Sequence, residues 1–157
     1  MVNARCARAW EVLQAVTDPE IPALTLCDLG IVREVREAED DALDVVLTPT
    51  YSGCPATEAI GVSVREALAA SGLGRCRVRL QLAPAWSSDW ISEAGRDKLR
   101  AAGIAPAAPA HVVRFHPVCP RCASRDTEQL SAFGATACKA LWRCRGCFEP
   151  FEYFKPI

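Results

Sequence analysis

The sequence is poor in the features that mark membrane, secreted and nucleic-acid-binding proteins. It has no long uninterrupted run of apolar residues, whereas a membrane-spanning helix needs about 20 of them. The charges near the N-terminus, at Arg5 and Arg8, are not followed by the apolar stretch of a secretory signal. Basic and acidic side chains number 18 and 19, and binding to nucleic acid needs a basic excess. We therefore expect a cytoplasmic protein with neither a membrane nor a nucleic acid as its partner.

The sequence also lacks a complete set of catalytic residues. It contains no Walker lysine motif and none of the patterns G-x-G-x-x-G, H-E-x-x-H, G-x-S-x-G and E-x-x-H. A cysteine nucleophile needs a nearby base, which is usually histidine. The only two histidines, His111 and His116, lie in the C-terminal third of the chain. We therefore expect a non-catalytic protein.

Cysteine, by contrast, is abundant and unevenly distributed. Nine cysteines make up about 6% of the chain, and five of them lie within the last 40 residues. In a reducing compartment, clustered cysteines indicate a metal site more often than disulfide bonds. The C-terminal cysteines therefore predict a metal centre.

Two C-x-x-C pairs specify where this metal binds. They are residues 119–122 (CPRC) and residues 144–147 (CRGC). Two such pairs joined by a hairpin are typical of a zinc ribbon, and we expect Gly146 to supply the backbone freedom that a tight knuckle needs. The predicted ligands are Cys119, Cys122, Cys144 and Cys147.

Four thiolates close a tetrahedral shell and leave no open position for catalysis, so a structural zinc ion is the expected metal. An iron–sulfur cluster uses the same kind of ligand set and remains an alternative. Cys138 is either a substitute ligand or a buried free thiol. We interpret His111 and His116 as ordinary residues because four cysteines suffice.

An Ala/Pro segment predicts the boundary between two modules. Residues 105–110 (APAAPA) disfavour a helix and suggest an extended linker. Residues 1–103 have 15 acidic and 11 basic side chains, whereas residues 104–157 have 4 and 7. We predict a domain over residues 1–104, a linker over 105–111 and a ribbon module over 112–157. The opposite net charges suit docking of the modules on each other or on a partner.

Hydrophobic periodicity predicts an α+β fold for the first module. Apolar spacing and breakers indicate a small mixed sheet packed with helices in the order α-β-β-α-β-α, followed by the all-β ribbon. The predicted elements are a helix over 4–16, a hairpin of strands 31–35 and 42–47, a helix over 55–71, a strand over 75–82 and a helix over 92–102. The arginines that alternate along strand 75–82 either bind an anionic ligand or face solvent.

Cys54 is a second candidate for chemistry. It ends a strand-to-helix loop and directly precedes Pro55 at the start of the predicted helix. The free N–H groups at a helix N-terminus stabilise a thiolate, so Cys54 is either a reactive thiol or a buried inert one. Thr50 and Ser52 are candidate hydrogen-bond donors to it. Asp18, Glu20 and Asp28 are candidates to complete a mixed sulfur and oxygen site.

Five segments carry a family resemblance. They are residues 18–22 (DPEIP), 28–32 (DLGIV), 48–55 (TPTYSGCP), 84–91 (PAWSSDWI) and 148–157 (FEPFEYFKPI). The first three resemble the motifs of the metal–sulfur cluster assembly domain family, which includes SufT and the cytosolic iron–sulfur targeting factors. The last two, with the C-terminal cysteines, make the whole chain similar to the D subunits of bacterial phenylacetyl-CoA epoxidases (ring 1,2-epoxidases).

That resemblance implies a role in aerobic phenylacetate degradation. In such systems a di-iron oxygenase subunit epoxidises the CoA-activated ring, and an iron–sulfur flavoprotein reductase supplies electrons. The D subunit is an accessory protein for the assembly or maturation of metal centres, which makes the oxygenase and reductase the implied partners. The family's characteristic cysteine falls on Cys54, with Thr50 beside it and with Asp18 and Glu20 in the acidic motif.

Three functions remain open at this point. The first is a maturation factor in which Cys54 binds iron or an iron–sulfur cluster transiently. The second is a permanent structural subunit, which the opposite charges of the modules and the aromatic C-terminal segment would suit. The third is an electron-transfer component with an iron–sulfur cluster held by the C-terminal cysteines.

Overall fold

The computed structural model describes residues 3–112 and 116–157, and these residues form two compact units that divide between Trp86 and Ser87. Residues 1 and 2, in the predicted N-terminal segment, and residues 113–115, in the predicted ribbon module, lie outside the described residues. Within the described ranges, each helix is too short or too polar to traverse a lipid bilayer.

The first unit has two helices and a three-stranded sheet. Its elements are α1 (Ala4–Leu13), β1 (Val32–Glu37), β2 (Leu43–Leu47), α2 (Thr57–Ala70) and β3 (Cys76–Leu80). The sheet order is β1-β2-β3, with β1 antiparallel and β3 parallel to the central strand β2. The predicted hairpin, helices and mixed sheet are confirmed.

Helical spacing explains how the two helices bury their apolar side chains. The N-cap Asn3 accepts a hydrogen bond from the Arg5 amide, and α1 then buries residues three or four positions apart, ending at Leu13. In α2 the buried positions include Ile60, Val64 and Leu68, which share one face for the same reason. Every residue of β2 is buried, as expected for a central strand.

The arginines of the first sheet surround a buried carboxylate. Asp44 lies on the opposite face of β2 from Leu43 and Val45 because side chains alternate along a strand. Its carboxylate accepts hydrogen bonds from Arg77 Nε at 2.9 Å and from Arg79 Nε at 3.0 Å. The Arg77 bond, together with Arg79, holds the pKa of Asp44 below its usual value despite burial. These two arginines of the predicted face therefore act as counterions for the central strand.

The second unit combines a helix with a four-stranded sheet. A short 3-10 helix (Ser88–Trp90) precedes α3 (Glu93–Ala101), β4 (Ile104–Ala105), β5 (Thr127–Ser131), β6 (Lys139–Cys144) and β7 (Pro150–Phe154). The sheet order is β4-β7-β6-β5; β4 is parallel to β7, and the other pairs are antiparallel. The β-strands β5, β6 and β7 agree with the predicted all-β ribbon, and α3 confirms the helix predicted over 92–102.

The predicted linker is a packed part of the second unit. Ile104 and Ala105 pair with β7, and Ala105, Ala107 and Ala108 are buried. The Arg96 guanidinium of α3 donates to the Ala107 carbonyl at 2.7 Å. The compact units of the structure divide between residues 86 and 87, so this segment lies inside the second unit, and the module boundaries at residues 104 and 111 stay a prediction. No helix forms over residues 105–110, but the composition of this segment could not reveal that Ile104 and Ala105 pair with β7.

Replacing Asp44 tests the buried ion network. Because the folded-state pKa is depressed, the carboxylate stabilises the fold above its unfolded pKa of about 4, and this contribution is lost as pH falls through the folded value. We expect Asp44→Asn to lower the thermal unfolding midpoint at pH 7, with the deficit shrinking as pH falls below about 4. Circular dichroism melts over this pH range provide the measurement.

The control for this prediction is Glu39→Gln, which removes an exposed carboxylate from the same hairpin. It should leave the midpoint nearly unchanged at every pH. A deficit of constant size for Asp44→Asn from pH 7 to pH 3 would show that packing, and not charge, explains the effect.

Candidate functional site

The four predicted metal ligands lie together in the second unit. The Sγ atoms of Cys119, Cys122, Cys144 and Cys147 are all within 4.8 Å of one another. Cys122 Sγ is 3.5 Å from Cys144 Sγ, and Cys119 Sγ is 3.8 Å from Cys147 Sγ. A tetrahedral zinc ion with Zn–S bonds of about 2.3 Å separates its sulfurs by about 3.8 Å. The donor set and its spacing therefore fit a structural metal ion.

The two C-x-x-C pairs are built by the same hydrogen-bond pattern. The first cysteine of each pair accepts at sulfur from the amide two residues later, Arg121 to Cys119 at 3.4 Å and Gly146 to Cys144 at 3.3 Å. The amide of each first cysteine donates to the carbonyl five residues later, with N···O distances of 2.9 and 3.0 Å. Each pair is thus a knuckle closed by its own backbone.

Each knuckle ends with a residue in the left-handed region. Ala123 follows Cys122 with φ 61°, and Phe148 follows Cys147 with φ 63°. Gly146, expected to provide backbone freedom, is not among the residues with positive φ. Glycine fits this position because there is little room for a side chain. A Cβ at residue 146 would approach the Ser124 side chain at 3.3 Å and Cys144 Sγ at 3.5 Å.

The thiols of the cluster have unequal acidity. Donation by the Cys147 amide, with further help from Cys122 and Gly146, lowers the pKa of Cys144 to about 6. The Ser124 amide favours ionisation of Cys122, but the Cys144 thiol and partial loss of solvation outweigh it and raise the pKa of Cys122 to about 12. Neighbouring thiolates repel one another, so four of them need a bound cation to coexist.

Cys138 and His116 are not members of this cluster. Cys138 is buried, and its Sγ lies 3.0 Å from Thr136 Oγ1. His116 Nδ1 lies 2.9 Å from the Thr127 carbonyl oxygen, and its ring packs edge-on against Trp142. His111 is exposed. The geometry therefore gives Cys138 no place as a substitute ligand in the folded chain.

Cys54 lies in the first unit, in the loop between β2 and α2. Its side chain is 9% exposed, and its carbonyl accepts from the Thr57 amide at 3.1 Å. It lines an open groove of about 510 Å³, together with Pro55 and Gly61 on one side and Leu80 of β3 on the other. The sulfur is therefore recessed, but it borders a space that a ligand can enter.

The acidic candidates serve local turns. Asp18 is buried, and its Oδ1 accepts from the amides of Glu20 and Ile21, both at 2.8 Å. Asp28 Oδ2 accepts from the Thr25 amide at 3.0 Å. Across the described ranges, the ribbon cysteines are the one group of three or more Cys, His, Asp or Glu ligand atoms close enough to hold a metal. The structure thus does not join Asp18, Glu20 or Asp28 to Cys54 in a ligand set.

Two threonines, Thr48 and Thr50, lie in the same loop after β2. Thr50, the predicted neighbour of Cys54, is half-buried. Thr48 was not singled out from the sequence, yet its Oγ1 is buried without a hydrogen-bond partner among the described residues. Thr48 directly follows the buried strand β2, and this position is the one feature of the sequence that favours burial of its side chain.

Two different known families match the chain, one before and one over the C-terminal segment that holds the clustered cysteines. Residues 7–80 match the family described as iron-sulfur cluster assembly protein, and residues 109–155 match the PaaD zinc beta ribbon domain. The first match contains Cys54, and the second contains all four clustered cysteines.

Two relatives with assigned names are similar to this chain. The D subunit of the "Putative 1,2-phenylacetyl-CoA epoxidase" of Escherichia coli (strain K12) is 49% identical over 152 residues, covering 94% of this chain and 91% of the relative. The "Fe-S protein maturation auxiliary factor" of Porphyromonas gingivalis (strain ATCC BAA-308 / W83) is 34% identical over 83 residues, covering 52% of this chain and 78% of the relative.

Solved structures resemble the first part of the chain. A domain of unknown function, DUF59, from Bacillus anthracis has a TM-score of 0.57 at 26% identity, covering 61% of this chain and 92% of its own. A conserved hypothetical protein from Thermotoga maritima has a TM-score of 0.50 at 25% identity, covering 62% and 94%. Both support the mixed α/β architecture of the first unit.

Substitution of single cysteines tests the ligand set. We expect Cys144→Ser to reduce bound metal from about one ion per chain to nearly none, because a tetrahedral site loses a thiolate that no other residue replaces. Elemental analysis of the purified protein gives the metal content. Since Cys144 is also a core residue, thermal unfolding of the variant should begin at a lower temperature.

Cys138→Ser is the matched control, because it removes a second buried cysteine of the same unit that lies outside the cluster. It should retain a full complement of metal. Equal metal loss in both variants would mean that Cys138 takes part in binding.

Proposed function

The chain belongs to the family of the D subunit of 1,2-phenylacetyl-CoA epoxidase, and from this premise we propose that it is a non-catalytic maturation factor of that system. In this proposal it helps to place iron or an iron–sulfur centre in the oxygenase or reductase subunit. The work takes place in the cytoplasm, where thiols stay reduced. The relative named as an Fe-S protein maturation auxiliary factor, which matches about half of the chain, supports this direction.

The position of Cys54 carries the proposal. It lies within the segment that matches the iron-sulfur cluster assembly family and borders a groove that is open to solvent. Thiolates are strong ligands for iron. Because the Cys54 sulfur is recessed at the rim of the groove, iron or a cluster would have to reach it from the groove. Cys54 is therefore the residue we propose to contact iron or a cluster as cargo.

The incomplete surroundings of Cys54 favour transfer over storage. A metal held for good needs three or four protein ligands in fixed positions. Within the described residues, Asp18 and Asp28 use a carboxylate oxygen for backbone amides and do not form a ligand set with Cys54. A cargo bound through one thiolate keeps open coordination positions, which the ligands of a client protein can occupy.

The ribbon has a different task in this proposal. Its four thiolates would hold a zinc ion with a closed shell, and that ion stabilises the second unit without exchanging with the cargo. We propose that the ribbon then contacts the client. The exposed aromatic side chains of Phe133 and Phe148, which are 64% and 74% accessible, suit this role.

The same aromatic side chains favour a second candidate function. A permanent structural subunit would bury them in a lasting interface of the epoxidase complex. Such a subunit would copurify at a fixed stoichiometry and would not need the thiol of Cys54. The two functions therefore predict different effects of replacing Cys54: a maturation factor would lose delivery of iron, whereas a structural subunit would not.

Client iron is the decisive measurement. We expect the iron content of either the oxygenase or the reductase to be low when that subunit is produced without this chain. It should also be low when the subunit is produced together with the Cys54→Ser variant. Elemental analysis and the visible spectrum of each purified client give the result. The protein with the deficit is the client.

The control is Cys27→Ser in the same unit. Burial and the charge of Asp28 raise the pKa of Cys27 to about 11, so this thiol stays protonated near neutral pH and is a poor iron ligand. Cys27→Ser should preserve client iron. Fully loaded clients with Cys54→Ser, in a complex that is inactive without this chain, would support the structural subunit instead. Visible absorbance from the anaerobically purified chain alone would indicate an iron–sulfur cluster of its own.

A further inference from the structure

Strand β3 offers an unpaired edge beside the Cys54 groove. It pairs with β2 on one side, and among the described residues no strand pairs with its other side. The Leu43 amide donates to the Arg75 carbonyl, and the Gln81 amide donates to the Leu47 carbonyl. Backbone groups alternate in direction along a strand. The amides and carbonyls of Cys76, Val78 and Leu80 therefore point away from β2.

The side chains along this edge form one wall of the groove. Val78 and Leu80 face Gly61 of α2, where a Cβ would come within 3.7 Å of Val78. Leu80 is 54% exposed, and Leu82 beyond it is also exposed. Cys54 lies at the Leu80 end, because the loop that carries it starts where β2 finishes and Leu47 is paired with Leu80. Unpaired backbone, apolar side chains and the candidate thiol thus meet at one place.

The charges around this edge are mainly positive. Arg77 and Arg79 project from β3, Arg75 directly precedes it, and Arg65 of α2 lines the groove. The carboxylates that face these four guanidinium groups are Asp40, Asp44 and Glu58. An exposed edge that carries arginines is protected from pairing with a copy of itself and favours a strand with acidic side chains.

We propose that an extended segment of the client, with alternating apolar and acidic side chains, adds to the free edge of β3 as a fourth strand and covers the Cys54 groove. This inference rests on the proposed function, since it names how the client reaches the thiol. Main-chain hydrogen bonds to Val78 and its neighbours supply affinity, and the Leu80 surface selects apolar side chains. A segment of about five residues spans the roughly 17 Å length of β3.

Binding of the separately purified apo-oxygenase and apo-reductase to this chain provides the test. We expect Leu80→Asp to weaken the affinity for the client at least tenfold, because it removes an apolar contact and adds a charge that repels acidic side chains. Val78→Pro should weaken it similarly, because it deletes an outward amide that β2 does not use. Val62→Asp is the matched control, since Val62 is an exposed apolar residue of α2 in the same unit that does not line the groove, and it should change the affinity less than twofold.

Hydrogen exchange on the wild-type chain gives a reading that does not depend on any variant. In the complex, the amides of Cys76, Val78 and Leu80 should exchange at least tenfold more slowly than in the free chain. Unchanged exchange along β3, or wild-type affinity of a folded Leu80→Asp protein, would overturn the proposal. Slowed exchange that depends only on the concentration of this chain would identify a second copy as the occupant and would overturn it as well.

The outcomes separate this inference from the function on which it rests. If Cys54→Ser leaves client iron normal while Leu80→Asp abolishes binding, the docking edge stands and the maturation role falls. If Cys54→Ser depletes client iron while Leu80→Asp binds and delivers normally, maturation stands and this docking edge falls.

Discussion

The parallel pairing of β2 with β3 is the constraint on which the first unit depends. Parallel neighbours cannot be joined by a tight turn, so the chain must return to the other end of the sheet before β3 begins. Helix α2 makes this return. The loop into α2 therefore starts at the end of the sheet where β3 finishes, and Cys54 comes to lie beside Leu80 although the two are far apart in sequence.

The second unit depends on four sulfur atoms, and the two that are buried, in Cys119 and Cys144, link metal binding to packing. Cys119 and Cys144 belong to the same apolar cluster as Trp142, Phe151 and Tyr153. A small sheet buries too little apolar surface to be stable by itself, and ligand bonds compensate for this. Loss of the ion would leave repelling or protonated thiols inside that cluster, so the core and the metal site are one structural feature.

The sequence allowed the elements and the grouping of four cysteines to be predicted, because both leave short-range patterns. Helical spacing, strand alternation and the C-x-x-C pairs are each read within a few residues. The role of Asp18 was missed although it is local, since its carboxylate bonds to amides two and three residues later. The burial of Asp44 under Arg77 and Arg79 depends on strand register, and the packing of the Ala/Pro segment depends on pairing with β7. Neither partner is visible in the local sequence.

The matching knuckles also bear on how the ribbon assembles. Each is a loop of about six residues closed by its own backbone, and loops of this size close within about 10–100 ns. Each half of the site can consequently form before the hairpin between them is in place. The long-range step of assembly then brings the two preformed C-x-x-C pairs together. A metal ion bound first by one pair would be coordinated next by the thiols of the other pair.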